Sequence, residues 1–303
     1  MKFSFVIPTK DRPRELRALL SSIQAQSAVP DETIVVDGGD VPVQDVLREY
    51  PALSLKYLRV VPPSLTKQRN AGIRAVGPAM QLIAFFDDDI VMEPGSIEAM
   101  LAFWSRAPAD VGGAVFNIAD QPDSRAKALK TIFGIDAPQG GRVLKSGFNT
   151  IFCPARETQP LEWIFGGATV WRREVLENAK FDEWFDGYGY AEDLEFSYRV
   201  GKRWKLYVVA EARVRHLQVP FPDSRNYAFG QMQVLNRLYF VKKHPELSLG
   251  ACGWALAGQL ALNLTKGLLR ANKGDLLRTA GNLSGLTRAA LGRTNHRPPS
   301  QVK

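Results

Sequence analysis

The chain reads as an α/β protein built on a mostly parallel central sheet flanked by helices, with a helical extension at its C-terminal end. Three observations predict this. Apolar runs of strand length alternate with amphipathic stretches over the first 105 residues. Polar and acidic residues gather where those runs stop, and the last third sheds its acids and turns into long leucine-rich stretches.

Residues 3–7, 33–37, 54–60 and 82–86 are rich in β-branched and aromatic side chains and each reads as a strand. Residues 13–24, 43–49 and 65–75 between them carry helical spacing. Such alternation implies parallel strands joined by right-handed crossovers, and ligands of these sheets collect outside the carboxyl ends of the strands. Three of those ends are polar here: Pro8-Thr9-Lys10-Asp11 with Arg12 beyond, Asp37-Gly38-Gly39-Asp40, and Asp87-Asp88-Asp89. The triplet is the most informative. Three adjacent carboxylates raise one another's pKa, and a divalent cation relieves the repulsion by accepting their oxygens. The segment therefore reads as a metal site for a phosphate-bearing substrate. The competing reading is a solvated loop that leads into the helix after Pro94.

Residues 96–104 read as a helix and 111–116 as a further strand, after which the alternation fades. Residues 118–160, rich in Gly, Pro, Gln and Ser, read as long loops or a short hairpin of the kind that often faces substrate. Gly166-Gly167 precedes a β-like run and a helix start, and paired glycines permit close approach of backbone to a ligand. Glycines and aromatics in residues 181–191 then deliver Glu192-Asp193 to the first turn of a helix that ends at Gly201. Carboxylates in that position are at home as caps opposing the positive helix end; the alternative is a general base beside a substrate hydroxyl. His216 follows the strand read over residues 206–210 and the basic run Arg213-Val214-Arg215. Folded back onto the triplet, its imidazole would complete an N,O ligand set suited to Mn²⁺.

Composition narrows the class. With 303 residues, 45% apolar content and only Cys153 and Cys252, the chain is globular, has no disulfide framework and fits a reducing compartment. Its start lacks a signal peptide's apolar core, so the expected location is cytoplasmic. The net charge of +8 hides an asymmetry: residues 1–200 hold 22 Lys or Arg against 27 Asp or Glu, whereas residues 201–303 hold 17 against 4. No charged residue occurs between Glu246 and Lys266, yet Gln259, Asn263, Lys266 and Arg270 line up as one polar stripe on a helix, which favours lying in a membrane interface over crossing it. A second stretch interleaves Leu276, Leu283 and Leu291 with Arg278, Arg288 and Arg293. Packing on the catalytic body or a homo-oligomer contact is the alternative. Nucleic acid is not the expected partner, because no stacking aromatics alternate with these cations.

Taken together, Phe5-Val-Ile-Pro-Thr-Lys-Asp-Arg12, Ile34-Val-Val-Asp-Gly-Gly-Asp40, Lys67-Gln-Arg69-Asn70-Ala-Gly72, the triplet, Gly166-Gly-Ala168, Glu192-Asp193-Leu-Glu195 with Arg199, and His216 resemble the inverting nucleotide-sugar glycosyltransferases of family 2, in the family's order. The resemblance covers residues 1 to about 240. It implies a GT-A (Rossmann-like) fold with residues 1–105 as the donor-binding half, 106–218 as the acceptor-binding and catalytic half, and 219–303 as a basic amphipathic tail. It also implies roles. Pro8, Thr9, Asp11, Arg12, Asp37, Arg69, Asn70, Asp87 and Asp88 would bind a nucleoside diphosphate sugar, and Asp89 and His216 would hold Mn²⁺ or Mg²⁺. Asp193 would deprotonate the acceptor hydroxyl with Glu192 orienting it, while Gly166 and Gly167 would border the acceptor, a saccharide or lipid-linked saccharide. Gly38-Gly39-Asp40 departs from the Asn or Asp followed by Gly-Ser that the family often has after the second strand.

Two rival readings stand beside it. Residues 83–91 also fit the start of a haloacid-dehalogenase-like phosphatase, in which Asp87 would be the nucleophile, although three strands come earlier here than such a motif expects. The chain could also be a sugar-nucleotide-binding or membrane-tethering module without chemistry, for which the Glu192-Asp193 pair would have no use.

Overall fold

Every residue of strands β1 (Phe3–Thr9), β2 (Glu32–Asp37) and β4 (Leu82–Phe86) is buried, as continuous apolar strands are when helices cover both faces of a sheet. The computed structural model describes residues 1–121, 128–217 and 222–293. Its strands form one nine-stranded sheet, completed by β3 (Leu55–Arg59), β5 (Ile90–Met92), β6 (Val111–Ile118), β7 (Gln159–Leu161), β8 (Ala168–Arg172) and β9 (Lys205–His216). The order is β3-β2-β1-β4-β8-β6-β9-β5, with β7 paired to β9 off this path. Strands β1 to β4 pair in parallel, as their alternation with helices predicts. Strand β8 runs antiparallel between β4 and β6 and makes the sheet mixed.

Helix α1 (Pro13–Gln24) begins on proline, whose missing N–H costs nothing in a first turn, and buries Leu16, Leu19, Leu20 and Ile23 on one face. The short α2 (Gln44–Leu47) buries Val46 and Leu47. Helix α3 (Leu65–Ala75) is different, because its buried residues are Thr66, Gln68, Arg69, Asn70 and Gly72. Gly72 lets it lie close to β1, since a Cβ there would collide with Val6. Helices α4 (Ser96–Arg106), α6 (Arg173–Asn178) and α7 (Glu192–Gly201) complete the helices around the sheet.

Two expectations need correction here. Arg213, Arg215 and His216 do not follow a strand; they belong to it. Within β9, Ala212 and Val214 are buried and Arg213 and Arg215 exposed, the period-two alternation of a strand covered on one side. Strand β5, which starts directly after the aspartate triplet, was not expected at all, and its pairing sets Ile90 opposite His216.

By internal contacts the chain divides into two units, residues 1–123 with 152–218, and residues 124–151 with 219–303. Residues 124–151, expected in the acceptor-binding half, thus group with the helical tail. This second unit contains α5 (Ala128–Ile132), α8 (Asn226–Lys243), α9 (Leu249–Leu269) and α10 (Lys273–Ala290). Helix α10 approaches α8 through glycines: a Cβ on Gly230 would meet the Arg278 carbonyl, and one on Gly281 the Tyr227 carbonyl. Asn282 seals the contact by donating to the Gly230 carbonyl at 2.8 Å. Helices α9 and α10 start on side-chain caps, Ser248 accepting from Ala251 N–H and Asn272 from Asp275 N–H.

The polar stripe of α9 forms, and at Asn263 and Lys266 it engages α10 while Lys266 and Arg270 stay exposed. Asn263 donates to Asn282 of α10 at 3.1 Å, and Lys266 Nζ pairs with Asp275 of α10 at 3.1 Å. Among the described residues no helix is long and apolar enough to cross a membrane.

Candidate active site

Strand β4 ends where its apolar residues give out, and Asp87, Asp88 and Asp89 form the turn into β5. The turn is tied on both sides: Asp87 N–H donates to the Gly167 carbonyl at 2.9 Å, and Leu217 N–H donates to the Asp89 carbonyl at 2.7 Å. The three carboxylates then part ways. Asp88 is buried and accepts from Thr9 Oγ1 at 2.7 Å and Arg12 Nη1 at 3.0 Å. Asp89 is buried too, with Oδ2 on the same Arg12 nitrogen at 2.8 Å. Asp87 stays partly exposed and accepts from Arg69 Nη2 at 3.0 Å.

Burial dominates the electrostatics. It pushes Asp88 up to about 7 despite Thr9 and Arg12, which favour its charge. Burial and then the neighbouring Asp87 also raise Asp89, against His216 and Arg12. Even with Arg12 in place, burial holds both carboxyl groups above the ordinary aspartate range.

A second acidic pair enters from the other half of the sequence. Gly187, Gly189 and Ala191 all adopt left-handed φ, of 67°, 73° and 68°, which winds the chain tightly into the first turn of α7. Leu65 N–H donates to the Gly187 carbonyl at 3.0 Å, so this loop leans on the start of α3. Buried Glu192 accepts from Arg69 Nη1 at 2.6 Å. Asp193 remains partly exposed and accepts from two backbone N–H groups, Gly166 at 3.0 Å and Leu194 at 2.7 Å. Burial followed by the Asp193 charge pushes Glu192 up to about 8. Asp193 is raised chiefly by burial, opposed first by the Gly166 N–H.

Arg69 joins the two groups. Its guanidinium is 1% exposed, bridges Asp87 and Glu192, and lies over the Phe181 ring. Gly166 and Gly167 explain how it fits: a Cβ on Gly166 would stand 2.6 Å from Arg69 Nη1, and one on Gly167 2.7 Å from Asp87 Oδ2. The glycines make room for this ion pair.

Other expected residues fall less close to open space. Asp37 is completely buried, and its oxygens accept from Gly39 N–H, Val43 N–H and Tyr57 Oη, so it shapes its own loop. Asn70 is buried and binds the Phe181 backbone and Glu183, clamping the chain ahead of the acidic pair. Asp11, exposed with φ of 55°, holds Asp40 N–H at 2.8 Å. Pro8 is buried within β1. Sequence reasoning passed over Tyr188, which stands exposed between two left-handed glycines; partial burial and then the Asp87 charge raise its hydroxyl pKa. The glycine on each side was the available signal.

For a cation the donor set fits. Asp89 Oδ1 is buried without a hydrogen-bond partner, and His216 Nε2 lies 3.4 Å from it. A hard oxygen and an imidazole nitrogen that share one point suit Mn²⁺ or a similar ion. Among the described residues no group of three or more His, Cys, Asp or Glu could enclose an ion. Mg²⁺-type sites are commonly completed by substrate phosphates and water around one or two carboxylates.

A mixed sheet carrying an acidic turn at the end of its fourth strand and a second acidic pair at a helix start defines a GT-A fold. Solved structures agree: the chain aligns with a TarS fragment from S. aureus at TM-score 0.54 and 15% identity, covering 96% of this chain and 92% of that one. It aligns with the mannosyltransferase PcManGT of Pyrobaculum calidifontis, solved with GDP-Man and Mn²⁺, at TM-score 0.55 and 16% identity, covering 96% and 86%. Residues 4–178 match the family described as glycosyl transferase family 2, and the chain belongs to that family. A curated relative, validoxylamine A glucosyltransferase of Streptomyces hygroscopicus subsp. limoneus, is 27% identical over 281 residues, 84% of this chain and 59% of its own length. The uncharacterized glycosyltransferase YwdF of Bacillus subtilis is 37% identical over 102 residues, 33% of this chain and 37% of its own. The chain therefore spans between about a third and three fifths of the curated relatives it matches.

Proposed function

We propose that the chain is a metal-dependent inverting glycosyltransferase that moves a sugar from a nucleoside diphosphate sugar to an acceptor hydroxyl. The observation that carries this reading is the buried Arg69 bridge, which ties the aspartate turn to the Glu192-Asp193 pair although they lie far apart in sequence. A donor site and a proton acceptor are thereby held in fixed register, as transfer between two bound substrates requires.

In this reading Thr9, Arg12, Asp87 and Asp88 border the donor, and Arg12, now shared between Asp88 and Asp89, is placed to turn its guanidinium toward diphosphate oxygens. Asp89 and His216 would hold Mn²⁺ or Mg²⁺, which when bound offsets the charge left on a departing diphosphate. Asp193 is the base. The N–H groups of Gly166 and Leu194 occupy one lone pair on each of its oxygens and fix its orientation, and the remaining lone pairs can accept the hydroxyl proton. Glu192, locked to Arg69, positions rather than reacts. The acceptor oxygen, losing its proton to this one base, bonds to the anomeric carbon from the face opposite the leaving group as the bond to the diphosphate oxygen breaks, which inverts the centre without a covalent sugar intermediate. Residues 1–105 would serve the donor and 106–218 the acceptor, a saccharide either free or carried on lipid as in surface polysaccharide or glycolipid synthesis. The glucosyltransferase relative makes a hexose the first sugar to try.

The test is a transfer assay with nucleoside diphosphate hexoses, Mn²⁺ and a saccharide panel, reading the anomeric configuration of the product by proton NMR. Inverted product supports the reading. Retained configuration, or phosphate release from simple phosphoesters with no sugar donor, contradicts it.

A further inference from the structure

We propose that the exposed face of α9, extended by α5, docks this chain on an anionic lipid surface. From Leu247 to Thr265 the sequence has no charged residue. Within α9 the exposed positions Trp254, Ala257, Ala261, Leu264 and Leu268 follow one another at three- or four-residue steps and so share a face. Trp254 is 55% exposed, Leu264 43% and Leu268 65%. The helix's polar side chains Asn263 and Lys266 are engaged with α10 on another side. An ordinary surface helix turns its apolar row inward; this one leaves its apolar row exposed.

Helix α5 widens the row. The Trp254 indole N–H donates to the Ile132 carbonyl at 3.0 Å and its ring packs against Phe133 at 5.1 Å, leaving Leu129 and Ile132 more than half exposed. Because the indole's one donor is satisfied within the protein, the ring can enter an acyl layer without stranding a polar group.

Charge selects the occupant. Residues 219–303 hold 12 Lys or Arg against three Asp or Glu. Lys130 on α5 and Lys266, Arg270 and Lys273 around the end of α9 are all exposed. A second copy of the chain would set two such basic surfaces against each other, whereas anionic headgroups complement them while acyl chains take the leucines.

The test uses the chain as it is and needs no sugar donor, so its outcome is separate from that of the catalytic reading. In flotation with phosphatidylcholine vesicles, with or without phosphatidylglycerol, we expect binding to the anionic vesicles alone, weakening as salt rises. Leu264→Gln with Leu268→Gln should lower it at least about tenfold with the melting temperature unchanged, and Leu268→Gln alone should act in the same direction. Arg270→Gln with Lys273→Gln should lower it severalfold. Absence of vesicle binding, equal binding to both vesicle types, binding indifferent to the leucine changes, or a dimer by sedimentation that those changes dissociate would each overturn the proposal.

Discussion

Helices α3 and α9 both reverse the usual arrangement of a surface helix, and they do so for opposite ends. Helix α3 buries Gln68, Arg69 and Asn70, and each has a full-time partner: Gln68 holds the Thr9 and Val36 carbonyls, Arg69 the two acidic groups, Asn70 the segment at Phe181. Helix α9 turns Asn263 and Lys266 toward α10, and on its other side it leaves an apolar row in which Leu264 and Leu268 stand exposed. In the first case polarity inside builds a site. In the second, the lack of polarity outside marks a surface that needs a medium other than water. Inward polar groups are costly unless satisfied, so both arrangements indicate where stability yields to function.

The largest effect should come from the site that α3 supports. Asp193→Asn keeps the shape and one of the two backbone hydrogen bonds, since an amide nitrogen cannot accept the other, and removes the base, so transfer should fall about 10²- to 10⁴-fold while donor affinity, measured by calorimetry, holds. Near-normal transfer would mean that Asp193 is not the base.

Next is Arg69→Met, which leaves Asp87 and Glu192 facing each other without their buried cation. Removing one member of a buried ion pair costs about 3–5 kcal/mol, so thermal unfolding should begin at clearly lower temperature. A melting point equal to that of the unchanged chain would refute the bridge as a structural element.

A smaller effect follows from the raised pKa of Glu192. A group held near 8 in the folded chain against 4.5 when unfolded favours folding fully below 4.5, and that contribution is lost as pH rises through about 8. The melting temperature should therefore decline over this interval, with Asp88 adding in the same direction through about 7. Glu192→Gln should flatten the decline in part. The catalytic profile runs the other way, because Asp193 must be ionised to accept a proton and its raised pKa moves the acid limb of kcat/KM upward from the ordinary aspartate range.

Smallest of all is the stability change expected on α9. Leu264→Gln and Leu268→Gln alter exposed positions and should each shift stability by less than about 0.5 kcal/mol. If they destabilised the chain as Arg69→Met does, the row would be part of a packed contact and the contrast between the two helices would vanish.

Much of the first unit was legible in sequence because its strands are continuous apolar runs and its helix α1 is plainly amphipathic. The aspartate turn stood out as a local charge conflict, and the acidic pair as a glycine-framed helix start. Three features escaped. Strand β5 is three residues long, too short for periodicity, yet it is what brings His216 beside Asp89. The roles of Arg69, Gly166 and Gly167 are long-range: nothing near residue 69 announces Glu192, and nothing near residue 166 announces a guanidinium. The direction of the α9 stripe was hidden for another reason. Spacing aligns side chains on one face, but which face meets water depends on the neighbouring helix, here α10.

The most direct measurement is a calorimetric titration of uridine, guanosine and thymidine diphosphates with and without Mn²⁺, on the unchanged chain, Asp89→Ala and Asp193→Asn. The account predicts that one diphosphate binds, that its binding needs Mn²⁺, and that it is lost in Asp89→Ala but kept in Asp193→Asn. Binding of equal strength without the ion, or in Asp89→Ala, would contradict it.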